Sequence, residues 1–175
     1  MAKVTFASLK LKVNDNVEKI NLYEKEIEVK QYLPVEDKYD LIMISLQQAK
    51  ENGFYNELKL EMFFHLNLIF MYTNLSFTDK QREDLFNLYD VLESNGIINA
   101  VVQAIPVEEY TFLIETVSKV KEELMKYENS LAGVVNNFIN QFPINAQAAA
   151  DIVANFDQEK YAEVVNFAKA AGMRE

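Results

Sequence analysis

The sequence predicts an α+β fold that is mostly helical. We expect an N-terminal three-stranded antiparallel β-element that packs on a bundle of about six to eight helices around a buried central helix at residues 56–74. Three observations support this prediction: the first 33 residues alternate between apolar and polar side chains, the stretch NELKLEMFFHLNLIFMYTN is apolar on nearly every helical face, and helix start and stop signals divide the remaining chain.

The first 33 residues carry the strand signals. Residues 3–13 alternate with a change of phase at Ser8, which predicts a strand with a bulge. Val17–Tyr23 and Glu26–Leu33 alternate as well, and turn residues at Asn14–Asn16 and Glu24-Lys25 separate the three strands. One face of the second and third strands is apolar, so we expect that face to pack against helices. Its residues are Ile20, Leu22, Ile27, Val29, Gln31 and Leu33.

Pro34 predicts the start of the first helix, because proline suits the first helical turn. We expect this helix to run to Asn52 and to stop at Gly53 in the left-handed conformation. The central helix then follows an N-cap at Asn56. Because so few polar residues interrupt its apolar surface, we expect it to be buried on most sides.

Further helix signals follow along the rest of the chain. Thr78 and Gln81 have capping-box spacing and predict a helix that ends at Gly96. Later helices are predicted at Ile97–Ala104, from Glu108 to about Tyr127, and at 130–142, 146–154 and 157–172. We interpret 1–175 as a single domain, with a β-element at 1–33, a helical body at 34–142 and a helical tail at 143–175 that Pro143 could make separable.

Composition excludes several classes of function. The chain has no Cys, so it can form neither a disulfide nor a thiolate metal site. Its net charge is −10, with eleven Lys and Arg against twenty-two acids in residues 34–175. An acidic body argues against nucleic-acid binding, which needs clustered cations. Charged and polar residues interrupt the central helix, and the alternating N-terminus does not match a signal peptide, so we expect no membrane span.

A search for catalytic chemistry yields one constellation on the central helix. His65 is the only histidine, and Glu61 and Glu57 lie four and eight residues before it on the same helix face. Two or three ligands from one helix leave a metal site incomplete, so we interpret His65 as a hydrogen-bonded histidine at the polar edge of the helix. The four glycines form no phosphate-binding cluster, and no serine lies in a nucleophile elbow. We therefore expect no enzyme activity, metal or cofactor.

Aromatic residues are unusually dense on and beside the central helix. Many of them can belong to the core. A partner-binding surface is the other interpretation, because aromatic residues are enriched at protein interfaces. The residues that we assign to such a surface are Phe54, Tyr55, Tyr72 and Phe77.

Three stretches, MAKVTFASLKLKV, KEIEVKQYLPVEDKYDLI and YNELKLEMFFHLNLIFMYTNLSFTDKQ, resemble small uncharacterised proteins encoded by phages of low-GC Gram-positive bacteria. This resemblance covers about residues 1–100. A short N-terminal β-element followed by acidic helices is also similar to the phage tail assembly chaperones, which bind tape-measure or tail-tube subunits and are not enzymes. That similarity is architectural, so it assigns no role to a residue.

The resemblance implies a virion protein or an assembly factor that binds phage structural subunits in the cytoplasm of the host cell or in the virion. Strand addition at an open sheet edge, or the apolar central region, would supply the contacts. The alternative is a phage-encoded inhibitor that uses an acidic helical surface against a host defence system or host enzyme. Exposed strands could also lead to homo-oligomers.

Overall fold

A computed structural model of the chain describes residues 3–130 and residue 133. The chain divides into two compact units, residues 1–121 and 122–175. The described part is mostly helical, with six α-helices and two small two-stranded antiparallel sheets. The strands are β1 (Val17–Leu22), β2 (Lys25–Lys30), β3 (Lys50–Glu51) and β4 (Phe54–Tyr55). The helices are α1 (Val35–Ala49), α2 (Glu57–Tyr72), α3 (Asp79–Glu83), α4 (Leu85–Ser94), α5 (Ile97–Ala104) and α6 (Val107–Glu128).

The predicted three-stranded element is a two-stranded hairpin in the structure. Strands β1 and β2 pair around Tyr23 and Glu24, which both have positive φ, as a two-residue hairpin turn requires. The prediction of a strand at 3–13 is wrong, because this segment contains only a 3-10 turn at Phe6–Leu9. In the described residues, the hairpin gains one further bridge, between Val29 and Thr73, from the segment after α2.

The apolar face predicted for the hairpin faces the core. Ile27, Val29 and Leu33 are buried, and Ile20 and Leu22 are half-buried. Strand β1 contacts α5, and α1 packs along α2. Alternation therefore predicted the inward face of this segment correctly.

Helix α2 is the predicted central helix. Its N-cap is Asn56, whose side chain accepts a hydrogen bond from Lys59 N at 3.1 Å. The helix is buried along most of its length, and Leu68 and Ile69 are fully inaccessible to solvent. Asn67, one of its few polar residues, is buried and donates to Ser45 Oγ and Gln48 Oε1 on α1. The amide of this buried residue is thus hydrogen-bonded rather than left unpaired.

The predicted end of the first helix is wrong. Helix α1 ends at Ala49, and Asn52 and Gly53 form the tight turn of the β3–β4 hairpin, with φ of 50° and 84°. Asn-Gly is the strongest short hairpin signal, and here it ends the helix before Asn52.

The helix predicted from Thr78 to Gly96 is split at Asp84. The capping box at Thr78 is present, but it starts only the short helix α3. Asp84 Oδ1 then accepts a hydrogen bond from Asn87 N at 3.1 Å and caps α4. An aspartate side chain that bonds the backbone in this way competes with helix continuation.

The downstream bounds agree closely with prediction where the structure describes them. Helix α5 has the predicted limits, and α6 begins one residue before the predicted start. Gly96, with φ of 70°, separates α4 from α5. The predicted helices at 130–142, 146–154 and 157–172 lie almost entirely outside the described residues.

Candidate functional site

A buried carboxylate joins four segments of the first unit. Glu109, in the first turn of α6, accepts hydrogen bonds from Lys38 Nζ at 2.7 Å, from Tyr72 Oη at 2.8 Å and from Leu33 N at 3.1 Å. The side chains of Lys38 and Glu109 are only 9% and 10% exposed. A buried charge requires this kind of pairing, so the network holds α1, α2 and α6 against the end of the hairpin segment.

A groove of about 410 Å³ lies over this network. Lys38 Nζ, at its base, is 4.0 Å from the centre of the Tyr32 ring and 5.1 Å from that of Phe112. Both rings can attract the ammonium through their π faces. Because Glu109 already neutralises Lys38, the groove offers an external ligand no free cation, and Glu108 at its rim adds a negative charge. We therefore interpret the cluster as a structural clamp.

The lone histidine lies in a second groove, of about 230 Å³, between α2 and α6. His65 Nε2 is 3.1 Å from Tyr110 Oη. Its Nδ1 is buried without a hydrogen-bond partner of good geometry. Burial lowers the pKa of His65 below its usual value of 6.5, and it raises the pKa of Tyr110. Both groups are therefore neutral near pH 7.

One of the two acids that line the His65 groove, Glu57, has a partner of its own. Glu57 forms an ion pair with Lys121 at 2.7 Å. Ser118 lines the groove, but no hydrogen bond between the described residues joins it to His65. Within the described residues, no group of three or more His, Asp and Glu side chains is arranged to hold a metal ion. The geometry of this groove thus supports no nucleophile–base pair.

The most exposed apolar surface beside α2 surrounds its N-terminal end. Phe54, Leu58 and Phe86 are 76%, 75% and 57% exposed. Lys59, which follows Leu58 in the chain, links two of these segments: its Nζ is 2.7 Å from Glu51 Oε1 in the β3–β4 hairpin and 5.8 Å from the centre of the Phe86 ring. We call these five residues the α2 patch. It combines large apolar side chains with one ion pair, which is a common composition for a protein-binding surface.

The α2 patch rests on the core. The Phe86 ring packs edge-on against the buried Phe63, with 6.4 Å between ring centres. Glu51 and Phe54 are paired across the β3–β4 hairpin. The patch is therefore held by regular secondary structure, which presents its side chains in fixed positions.

The structure separates the four predicted partner-binding residues. Phe54 belongs to the α2 patch, and Tyr55 beside it is half-buried. Phe77 is half-buried and packs on Phe70, with 5.1 Å between ring centres. Tyr72 is fully buried and bonded to Glu109, so it has no surface to offer a partner. Phe54 precedes α2 and Phe77 follows it, and a 16-residue helix spans roughly 24 Å, so they cannot form one patch.

Sequence reasoning missed Leu58 and Phe86 as surface residues. Leu58 could not be recognised, because α2 is apolar on nearly every face and its periodicity does not distinguish inside from outside. Phe86 could have been found. The spacing of Leu85, Leu88 and Leu92 defines the inward face of α4, and Phe86 lies off that spacing.

Within the part of the chain that the structure describes, no single helix is long and apolar enough to cross a membrane. Helices α5 and α6 reach the length and apolar composition of a membrane span only when they are taken together, and the chain bends by 111° at the break between them. Comparison of the chain with family models, curated proteins and solved structures found no match.

Proposed function

We propose that this chain is a non-enzymatic binding protein that holds another protein through the α2 patch. The observation that carries the proposal is the exposure of Phe54, Leu58 and Phe86 around one helix end. Large apolar side chains that cluster on a surface are typical of interaction sites, whereas single exposed ones are ordinary. Aromatic side chains that are rigidly held supply most of the binding energy of many interfaces.

The charges of the α2 patch suit a partner with both apolar and polar contacts. Lys59 and Glu51 neutralise each other, so a partner need not supply a charge to dock over them. The partner would place an apolar pocket or ridge against Phe54 and Leu58. Burial of these exposed side chains would supply the driving force.

For the class of partner, we propose a phage structural subunit. The resemblance of residues 1–100 to proteins of phages of low-GC Gram-positive bacteria supports this choice. The chain would then act in the host cytoplasm as an assembly factor, or remain in the virion as an accessory head or tail component. A protein that holds subunits needs no catalytic group.

A second candidate is inhibition of a host defence system or host enzyme through an acidic surface. The observation that favours it is a set of exposed acids on and next to α3 and α4. Such a surface would bind a basic target, and the complex would weaken as salt increases. These acids are Asp79, Glu83, Asp84 and Asp90.

Affinity purification of the tagged chain from phage-infected cells, with mass spectrometry of the captured proteins and of purified virions, tests the proposal. We expect the wild-type chain to capture phage structural subunits, and the Phe54→Ser/Phe86→Ser variant to capture at least about tenfold less. Tyr39→Ser is the matched control, because Tyr39 is 62% exposed on α1, outside the patch. Tyr39→Ser should unfold at the same denaturant concentration as the wild type, and the double variant should stay folded with a lower midpoint, because it loses the contact between Phe86 and Phe63.

Three outcomes would contradict the proposal. The double variant could capture as much as the wild type, the control could lose capture equally, or no phage subunit could be enriched. Capture of one host protein that is released by moderate salt, and that requires Asp84 and Asp90, would support the inhibitor instead.

A further inference from the structure

Residues 3–13, which we call the arm, expose five large apolar side chains. Their exposed fractions range from 51% to 77%. The 3-10 turn at Phe6–Leu9 contains no buried residue. Apolar side chains at this density on a segment with no buried residue indicate that part of the segment is covered in its working state. The five are Val4, Phe6, Leu9, Leu11 and Val13.

The outer edge of β1 can accept a strand. Leu22 and Lys25 flank the two-residue turn and form a hydrogen-bonded pair. Along an antiparallel ladder, pairs that exchange hydrogen bonds alternate with pairs that do not. The backbone N–H and C=O groups of Val17, Lys19 and Asn21 therefore point away from β2. No backbone hydrogen bond from another described segment reaches these three residues. The outer edge of β2 is already occupied, because Asn74 hydrogen-bonds both the backbone N–H and the backbone C=O of Glu28 there.

The arm does not fit this edge within its own copy. A two-residue turn at Asp15-Asn16 needs positive φ, which neither residue has, and the Asn16 carbonyl already accepts from Gln31 N at 3.0 Å. A three-residue turn at 14–16 sets Lys10 and Lys12 on the core face of the hairpin. The two-residue connection therefore fails because of its backbone geometry, and the three-residue connection fails because of its register.

We propose that the arm of one copy pairs as an antiparallel strand with β1 of a second copy, and that the exchange is reciprocal. Charge favours a second copy as the occupant, because the arm carries three lysines and no acid in a chain of net charge −10. A reciprocal exchange of identical segments closes into a two-fold dimer. The hairpin then becomes the three-stranded element that the alternation of residues 3–13 predicts.

One register satisfies the side chains of residues 11–13 on both faces of the sheet. It sets Leu11 opposite Leu22 and Val13 opposite Ile20, which extends the apolar face of the hairpin. Lys12 then lies opposite Asn21 rather than Lys19, so like charges do not meet. Continued past the arm, this register sets Asn14 opposite Lys19, so that the Asn14 carbonyl would accept the outward N–H of Lys19, and it sets Asn16 opposite Val17. Within one copy no residue would then be left for a turn, so the register is available only between copies.

Sedimentation of the purified full-length chain tests the proposal, with a matched pair of substitutions at Lys19. Lys19→Pro removes an outward N–H that the β1–β2 ladder does not use, and Lys19→Gln keeps this N–H. Both remove the ion pairs of Lys19 with Glu26 and Glu28. We expect a dimer for the wild type and for Lys19→Gln, and a dissociation constant at least about tenfold higher for Lys19→Pro.

A chain that is monomeric at all concentrations would overturn the proposal, as would a dimer that Lys19→Pro leaves intact or that Lys19→Gln abolishes. Cross-linking gives a readout that does not depend on a proline variant. The chain has no Cys, so a mixture of Leu11→Cys chains and Leu22→Cys chains can form a disulfide only through these positions. A linked heterodimer is expected, and its absence in a sample that still dimerises would overturn arm exchange.

Discussion

Tyr72 donates its phenolic hydrogen to Glu109 Oε1 across 2.8 Å in the protein core. The two residues belong to α2 and α6, which are 37 positions apart at this contact. Glu109 also accepts from Lys38, so one carboxylate satisfies a buried hydroxyl and a buried ammonium together. The stability of the first unit should therefore depend strongly on this single charge.

Glu109→Gln should destabilise the protein by about 3 kcal/mol, because it leaves the buried ammonium of Lys38 without a counter-charge. Glu108→Gln is the matched control, since Glu108 is the neighbouring glutamate and is exposed. Urea unfolding followed by circular dichroism measures both variants. Equal stability of the two variants would show that Glu109 is not the counter-charge of the network.

Tyr72 should make stability sensitive to alkaline pH. Burial, and then its bond to Glu109, raise the pKa of Tyr72 well above the usual value of 10.0. The unfolded chain ionises near pH 10 while the folded chain does not, so this contribution is complete below pH 10 and is lost as pH rises further.

Comparison with Tyr72→Phe isolates this effect from that of the other tyrosines. At pH 8 the wild type should exceed the variant by about 1.5–3 kcal/mol, the value of a hydrogen bond to a charged group. The difference in free energy of unfolding should shrink by about 1 kcal/mol at pH 11. A constant difference across this range would mean that folding does not hinder ionisation of Tyr72.

The sequence predicted elements whose signals are local. The Asn56 cap, the Thr78 capping box and the Gly96 stop each involve a few adjacent residues, and all three are present. The end of α1 was predicted wrongly because two local signals compete there. Gly53 fits both a helix stop and the second position of an Asn-Gly turn, and the hairpin forms.

The candidate site was harder to predict, because exposure depends on contacts between distant segments. Tyr72 and Phe77 look alike in sequence, yet only Tyr72 meets a carboxylate that comes from α6. Nothing in the residues around Tyr72 identifies Glu109 as its partner. Alternation likewise predicted that residues 3–13 suit a strand, but it could not indicate whether an edge is available to pair with them.

Two leucines of α2 should differ sharply in their contribution to stability. Leu68 is fully buried and Leu58 is 75% exposed, so the same substitution tests burial at constant helix propensity. Leu68→Ala should cost about 3 kcal/mol or more by leaving a cavity, as should Phe64→Ala. Leu58→Ala should change the free energy of unfolding by about 0.5 kcal/mol or less. A loss below about 1 kcal/mol for Leu68→Ala would show that α2 is not the core helix.

His65 should make stability fall on mild acidification. Burial lowers the pKa of His65 below 6.5, so the folded chain binds fewer protons than the unfolded chain in this region. The stabilising contribution is therefore complete above pH 6.5 and decreases as pH falls towards the folded-state pKa. Between pH 7.5 and 5.5 the wild type should lose more stability than His65→Gln, which cannot titrate, by at most about 1.4 kcal/mol.

The lone histidine allows a direct check of this prediction. The chain contains one imidazole, so a single Cε1–H resonance reports its titration in the folded protein by NMR. We expect a midpoint below 6.5, because the ring is partly buried and its Nδ1 has no partner of good geometry that would stabilise the charged form. A midpoint above 6.5, together with stability that rises on acidification, would instead mean that the negative charges of Glu61 and Glu93 outweigh the burial of the ring.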